Sequence, residues 1–387
     1  MKEKAIRKFK QMDWILIGTI FALCSIGVLM VYSASLYISY ETTGEFHAFF
    51  KRQLIWLALG TVVFWVASVF SYKAYGKSIK FIMLVTVVLL IAVLIPGVGV
   101  ERNFSRRWIG VGSFVIQPSE IAKLTMIIYF AYAYTQKQRV IQHFKQGVVP
   151  PLIALAVVFL LILMQPDLGT ASLILGACGT IVFCSGARWR HILLLIGSAL
   201  FMVLALAVSE PYRLKRVTSF LDPYEDPDGA GYQLINSFIA ISSGGWTGQG
   251  LGLSSQKFGY LPEAHTDFIM AVIAEEFGLI GVYVVLALYL LLLIRGILIS
   301  REVDDLFAKL LAIGITFKIC IQMFLNLGAM SGLLPITGIT LPFISYGGSS
   351  LVITLAMAGI LVQLSTHRRQ KLDVPVKQTV NHTQPPA

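Results

Sequence analysis

The sequence predicts an all-α polytopic membrane protein, with ten transmembrane helices, both termini cytoplasmic, and one large extracellular loop between helices seven and eight. Three observations carry this. The 387 residues are 56% hydrophobic and 13% charged, with mean hydropathy +0.76, and that charge is about half of what a soluble domain carries. Apolar runs of about 20 residues, enough to cross a bilayer as helix, recur along the chain. The cations gather in short segments between those runs and fall mostly on one side, which sets orientation.

The spans lie at roughly 14–34, 53–71, 79–97, 119–135, 148–165, 168–186, 191–209, 267–294, 306–330 and 346–365. The first follows a basic flank (Lys2, Lys4, Arg7, Lys8, Lys10). It is too long for a signal peptide and lacks a small-residue cleavage site, so it reads as a retained signal anchor. An even number of spans puts both termini on one side. That side collects Lys73, Lys77, Lys80, Lys137, Arg139, Lys145, Arg188, Arg190, Arg295, Arg301, Lys309, Arg368, Arg369 and Lys371, and is therefore cytoplasmic. Arg102, Arg106, Arg107, Arg213, Lys215, Arg216 and Lys257 break the bias, so they serve something other than topology. Aromatic and apolar residues in the loop 209–266 (Phe220, Tyr224, Tyr232, Phe238, Trp246, Phe258, Tyr260) point to ordered, short amphipathic helices on the membrane surface. Residues 1–371 make one membrane domain, and the polar, proline-containing 372–387 reads as a disordered cytoplasmic tail.

The net charge of +11 suggests nucleic acid, but its dispersal between apolar runs argues against that class. Cys24, Cys178, Cys184 and Cys320 lie inside apolar runs without metal or disulfide spacing, so they read as small buried hydrophobes. Asp226-Pro227-Asp228 looks like a metal-holding acidic pair, yet Pro-Asp-Gly is also ordinary turn chemistry. An EF-hand is excluded because Tyr224 and Ile235 occupy ligand positions. Gly248-Gln249-Gly250-Leu251-Gly252 has no strand before it and is not a dinucleotide fingerprint.

Chemistry concentrates at the outer ends of the spans. Arg106-Arg107-Trp108 precedes Gln117-Pro118-Ser119-Glu120 and Lys123. Paired arginines can grip phosphate, while Glu120 and Lys123 share a helix face about a turn into the bilayer, as a self-neutralising pair or a substrate contact. Gln165-Pro166-Asp167-Leu168-Gly169-Thr170 is a tight turn whose Asp167 and Thr170 either cap span six or meet substrate. In the loop, Tyr232 and Gln233 open an apolar stretch. Glu263, His265, Thr266 and Asp267 stand at the doorstep of span eight, where a carboxylate marks chemistry or transport. Thr266 is the expected N-cap there, with Asp267 in the first helical turn. Glu275 and Glu276 are expected to bond other helices, with Lys318 a partner for one of them. Pro335, Gly338, Pro342, Gly347 and Gly348, with Ser345, Tyr346 and Ser349, break helix at membrane depth, which requires protein or a wet cavity alongside.

These motifs, in this order over nearly the whole chain, resemble the SEDS family of bacterial cell-wall polymerases, the FtsW, RodA and SpoVE group. Pro262-Glu263-Ala264-His265-Thr266-Asp267-Phe268 is worded more like the division branch, FtsW, than RodA. The resemblance implies a peptidoglycan glycosyltransferase that polymerises lipid II, with Asp267 at the catalytic aspartate position. It also implies a class B penicillin-binding protein as partner, among other divisome or elongasome membrane proteins, and a location in the bacterial cytoplasmic membrane with the active site facing out. Asp267 is then the general base. Arg106, Arg107 and Lys123 face the leaving pyrophosphate, with Arg213 and Lys318 as secondary candidates. The remaining substrate contacts are Trp108, Glu120, Gln165, Asp167, Thr170, Tyr232, Gln233, Glu263, His265, Thr266, Ser345, Tyr346 and Ser349. No cofactor is required, although Mg or Mn could accompany the pyrophosphate. A lipid II flippase and a non-catalytic scaffold for a transpeptidase are the competing classes. The crowding of polar residues at outer ends, rather than midplane, favours the enzyme.

Overall fold

The computed structural model describes residues 9–102, 105–111 and 114–372. The basic flank up to Lys8 and the tail from Asp373 lie outside these described residues. Helices α1 (Trp14–Thr43), α2 (Ala48–Val69), α3 (Tyr72–Ala92), α4 (Pro118–Gln136), α5 (Val149–Leu163), α6 (Leu168–Cys184) and α7 (Trp189–Val208) come first. Two shorter helices follow in the long loop, α8 (Pro211–Leu221) and α9 (Tyr232–Gly244). The chain closes with α10 (Ile269–Glu302), α11 (Leu306–Met330) and α12 (Gly348–Leu372). Each of the expected spans is helical. Eight helices are long and apolar enough to cross a membrane among the described residues, and α6 is a shorter apolar helix. The chain is a multi-pass membrane protein.

The all-helical expectation needs one correction. Strands β1 (Gly99–Arg102), β2 (Ser105–Val111) and β3 (Phe114–Ile116) form an antiparallel sheet in the order β1-β2-β3, with Gly99 opposite Ile109 and Ile109 opposite Ile116. β-Branched and aromatic residues (Val100, Trp108, Ile109, Val115 and Ile116), which fit a pleated surface, are enriched in this stretch.

α11 is central, packing on α4, α6, α10 and α12, while α12 packs along α2. At the far end from the sheet, Asp13 caps α1 and accepts a hydrogen bond from Arg295 Nε at 2.9 Å, tying α1 to α10. α10 is broken at Gly278 (φ 62°, ψ −162°), a conformation essentially restricted to glycine. The glycine-rich run fills the break. Gln249 and Gly250 donate to the carbonyls of Glu275 and Glu276 at 3.0 Å each, while Leu279 and Ile280 donate to Gly245 and Trp246. The motif that fails as a nucleotide fingerprint is therefore a backbone plug, satisfying groups that a helix break would otherwise orphan.

Buried charges pin this plug. Glu276 accepts from Ser33 at 2.6 Å and from Lys257 Nζ at 2.7 Å, and Glu275 accepts from Ser254 and Ser255. Lys318 was the expected partner for one of these glutamates. Instead it lies buried beside Thr354, within the field of Glu120 and Lys123. α11 turns that face to α4 and α12, and lateral packing of this kind is not encoded by depth along a helix.

Candidate active site

The segment between α11 and α12 is irregular because Pro335 and Pro342 lack donors and Gly338 takes φ 71°. Side chains from neighbouring helices satisfy its carbonyls. Arg216 of α8 donates to Ile336 at 3.0 Å, Asn326 of α11 to Ile339 at 2.7 Å and Gln322 to Thr340 at 2.8 Å, and Tyr289 of α10 bonds Pro342. Irregular backbone here is held against protein.

Asp267 sits on this platform. Three successive carbonyls are fixed: His265 accepts from Tyr346 N at 2.9 Å, Thr266 from Ser345 Oγ at 2.5 Å, and Asp267 from Asn326 Nδ2 at 2.7 Å. Two sequence expectations change. α10 starts at Ile269 with Phe268 at its cap, so Asp267 precedes the helix. Thr266 does not cap it either, because its hydroxyl bonds Glu263 Oε2 at 2.6 Å. Among the described residues the Asp267 carboxylate makes no hydrogen bond or ion pair. Gly338 approaches it so closely that an added Cβ would lie 3.6 Å from Oδ2.

The electrostatics suit a base. Asp267 is half-buried, reaching solvent while the surrounding protein desolvates its carboxylate. Burial, with help from the Glu263 and Asp167 carboxylates, raises its pKa to about 7, against the pull of Arg216 and Arg107. That value lies where a general base works best near neutral pH. His265 is buried between Phe49 and Tyr346, and burial lowers its pKa despite Glu263, so the ring is neutral. Glu263 takes φ 55°, a strained conformation that places it beside Asp267.

The sheet and α6 form the opposite wall. Arg107 donates to the carbonyls of Gln165 at 2.9 Å and Pro166 at 2.5 Å. Asp167 caps α6 by accepting from Thr170 N at 3.0 Å, and its other oxygen accepts from Gln117 Nε2 at 3.2 Å. Gly169 allows the 331–347 segment to close in, since a Cβ there would meet Thr337 O at 2.7 Å. Thus Arg107, Asp167, Glu263, His265, Thr266, Ser345 and Tyr346 gather around Asp267, whereas the buried Gln165 side chain donates to Leu90 O at 3.4 Å. Ser349 accepts from Gln117 N at 3.3 Å, linking α12 to the start of α4.

Other candidates lie elsewhere. Arg106 pairs with Glu101 at 3.1 Å on the exposed side of the sheet, and Trp108 pairs with Val100 across β1 and β2. Glu120 and Lys123 form a buried pair at 2.7 Å, which Lys318 joins as a second cation, deeper between α4, α11 and α12. Tyr232 and Gln233 open α9, whose packing runs to α10 and α11. Asp226 Oδ2 accepts from Ala230 N at 3.0 Å, the turn reading of that acidic pair. The missed residue is Arg216. Its charge was visible as a break in the positive-inside pattern, but nothing local in the sequence folds α8 over Ile336.

Known proteins resemble this chain along nearly its whole length. The family model described as "Cell cycle protein", FTSW_RODA_SPOVE, matches residues 13–370. "Stage V sporulation protein E" of Bacillus subtilis (strain 168) is 45% identical, covering 92% of this chain and 98% of its own. "Probable peptidoglycan glycosyltransferase FtsW" of the same organism is 44% identical, covering 93% of this chain and 92% of its own. A solved structure described as "Structural coordination of polymerization and crosslinking by a peptidoglycan synthase complex" superposes with TM-score 0.75 at 30% identity, covering 93% of this chain and 99% of that one. By sequence along its length and by fold, this chain belongs to the FtsW, RodA and SpoVE family.

Proposed function

We propose that Asp267 is the general base with which this peptidoglycan glycosyltransferase joins lipid II units into glycan strands. The observation that carries the reading is a desolvated carboxylate, unbonded among the described residues, held through its main-chain carbonyl by Asn326 and lying in the field of Arg107 and Arg216 from separate elements. The acceptor's GlcNAc 4-hydroxyl attacks C1 of the donor MurNAc and gives its proton to Asp267. The C1–O bond to undecaprenyl pyrophosphate breaks on the opposite face, converting an α-linkage into a β-1,4 bond. Base catalysis contributes about 10²–10⁴-fold. Pyrophosphate leaves without a second carboxylic acid, unlike the alcohol in glycoside hydrolysis. Arg107 and Arg216 supply fixed positive charge where the leaving oxygens become negative.

Among the described residues no three His, Cys, Asp or Glu side chains group as metal ligands. A Mg or Mn ion would arrive with the pyrophosphate and add charge there. The reading places ten helices, α1–α7 and α10–α12, across the bacterial cytoplasmic membrane as a single domain. Both termini lie inside, and the loop carrying α8 and α9 lies outside with Asp267. It also takes a class B penicillin-binding protein as cross-linking partner, with other divisome or elongasome proteins around the pair.

The test is polymerisation of purified lipid II by the purified protein, alone and with its transpeptidase. Wild type yields glycan strands, and Asp267→Asn yields none while eluting as a folded monodisperse species. Normal polymer from Asp267→Asn removes the base assignment. Lipid II translocation into vesicles without polymer would support the flippase class instead.

A further inference from the structure

Along α6 from Leu175 to Cys184, the half away from Asp167, a groove opens between α5, α6, α7 and α11. Its volume is about 580 Å³, within the roughly 300–1,000 Å³ of small-molecule sites. Leu155, Gly176, Gly179, Leu195, Ala199 and Phe317 line it. The Thr180 hydroxyl, also in the wall, is spent on Ala177 O at 2.7 Å. α7 stands off the bundle and buries only Ile192. A space this size at membrane depth does not hold water, which needs polar partners, and left empty it would forfeit dispersion contacts along every wall. Hydrocarbon is the remaining occupant.

The mouth selects the headgroup. Arg188 is the N-cap residue of α7, one turn before Ile192, which lines the groove. Its Nε donates to Gln142 at 3.1 Å, which orients the guanidinium while leaving its terminal nitrogens for a ligand. Gln138 and Gln142 donate to the carbonyls of Ser185 and Gly186, fixing the turn that carries Arg188. Lys309 stands in the first turn of α11, about two turns before Phe317, which lines the groove on the same helix, and its charge is felt at Cys184. Trp189, next to Arg188 in sequence, packs edge-on against Phe183 at 5.3 Å as an interfacial aromatic.

We propose that this groove binds an anionic diacyl phospholipid from the leaflet opposite Asp267, one acyl chain between α6 and α7 and the phosphate at Arg188 and Lys309. Basic pockets between helices on the cytoplasmic side take anionic headgroups in this way. The site uses none of the residues around Asp267.

The experiment counts lipids retained on the purified protein by native mass spectrometry after exchange with phosphatidylglycerol, phosphatidylcholine or undecaprenyl phosphate. Wild type retains phosphatidylglycerol over phosphatidylcholine, and Arg188→Gln and Lys309→Gln each reduce that preference about fivefold. Gly179→Phe fills the groove and abolishes retention. A Cβ at Gly179 meets nothing within 4 Å, so the new side chain starts in open space, and a melting curve checks that the variant folds. The glutamine variants change only the mouth and test the proposal if Gly179→Phe misfolds. Equal retention of the two phospholipids, unchanged retention in folded Gly179→Phe, or preferred retention of undecaprenyl phosphate overturns the assignment.

Discussion

Asn326 donates from its side-chain amide to the main-chain carbonyl of Asp267 at 2.7 Å, and to that of Ile339 at the same distance. One side chain of α11 thereby fixes the spacing between the acid and the irregular segment that cradles it. The carboxylate itself remains unbonded among the described residues, so its position depends on the backbone. Asn326→Leu removes both bonds without touching substrate. We expect kcat to fall about 10²-fold, the scale of an ångström's misplacement, with KM little changed. Steady-state polymerisation kinetics check this, and an equal rise in KM would instead place Asn326 in substrate binding.

The charges around Asp267 fix the pH dependence. With its pKa raised to about 7 by burial and by Glu263, kcat/KM should fall as pH drops below about 7, because the base becomes protonated. Glu263→Gln removes a neighbouring negative charge and moves this acid limb to lower pH. Arg216→Gln removes a positive one, moves the limb to higher pH, and also lowers kcat through weaker stabilisation of the leaving pyrophosphate. Shifts in the same direction for both variants would exclude Asp267 as the titrating group.

Asp267→Asn should be inactive yet more heat-resistant. The folded protein holds its proton up to about pH 7, whereas the unfolded chain releases it near pH 4. Wild-type stability therefore declines as pH rises through that window, and the loss is complete above pH 7. The asparagine carries no such cost. Its melting temperature should exceed wild type at pH 8, with the gap closing toward pH 4. This separates lost chemistry from lost folding.

The place of Asp267 at the doorstep of an apolar helix was legible, because a carboxylate beside an apolar run is costly. The spans were legible from hydropathy alone. The sheet was not legible because Ser105–Val111 lacks the polar–apolar alternation of a strand, and its β-branched and aromatic residues are too few to stand out beside the apolar spans. Arg216 and Lys318 failed for another reason. Depth along a helix can be read from the sequence, but which face meets which neighbour is set by packing among distant elements. The glycine-rich run was visible as a motif, and its purpose needed the break in α10.

That break gives a sharp stability test. Gly278 has φ 62° and ψ −162°, and an added Cβ would lie 2.4 Å from Gly248 N. Gly278→Ala combines backbone strain of about 1–3 kcal/mol with a clash against main chain. It should yield little folded protein by size-exclusion chromatography. Gly179→Ala, in open space on α6, should be tolerated or slightly stabilising, since alanine favours helix by about 1 kcal/mol.

Lys257 and Glu276 pair at 2.7 Å with side chains 2% and 0% exposed. Ser33 of α1 bonds both, which ties the long loop to two helices. Removing one partner strands the other charge. Lys257→Met should therefore cost about 3–5 kcal/mol, whereas Lys257→Met with Glu276→Leu should recover most of it, because an apolar pair needs no solvation. Melting temperatures of the two single variants and the double variant form the cycle. The double variant should also keep measurable polymerisation, since neither residue touches the Asp267 platform. If it melts no higher than the single variants, the pair supplies more than mutual neutralisation, and Ser33 becomes the group whose bonding the loop depends on.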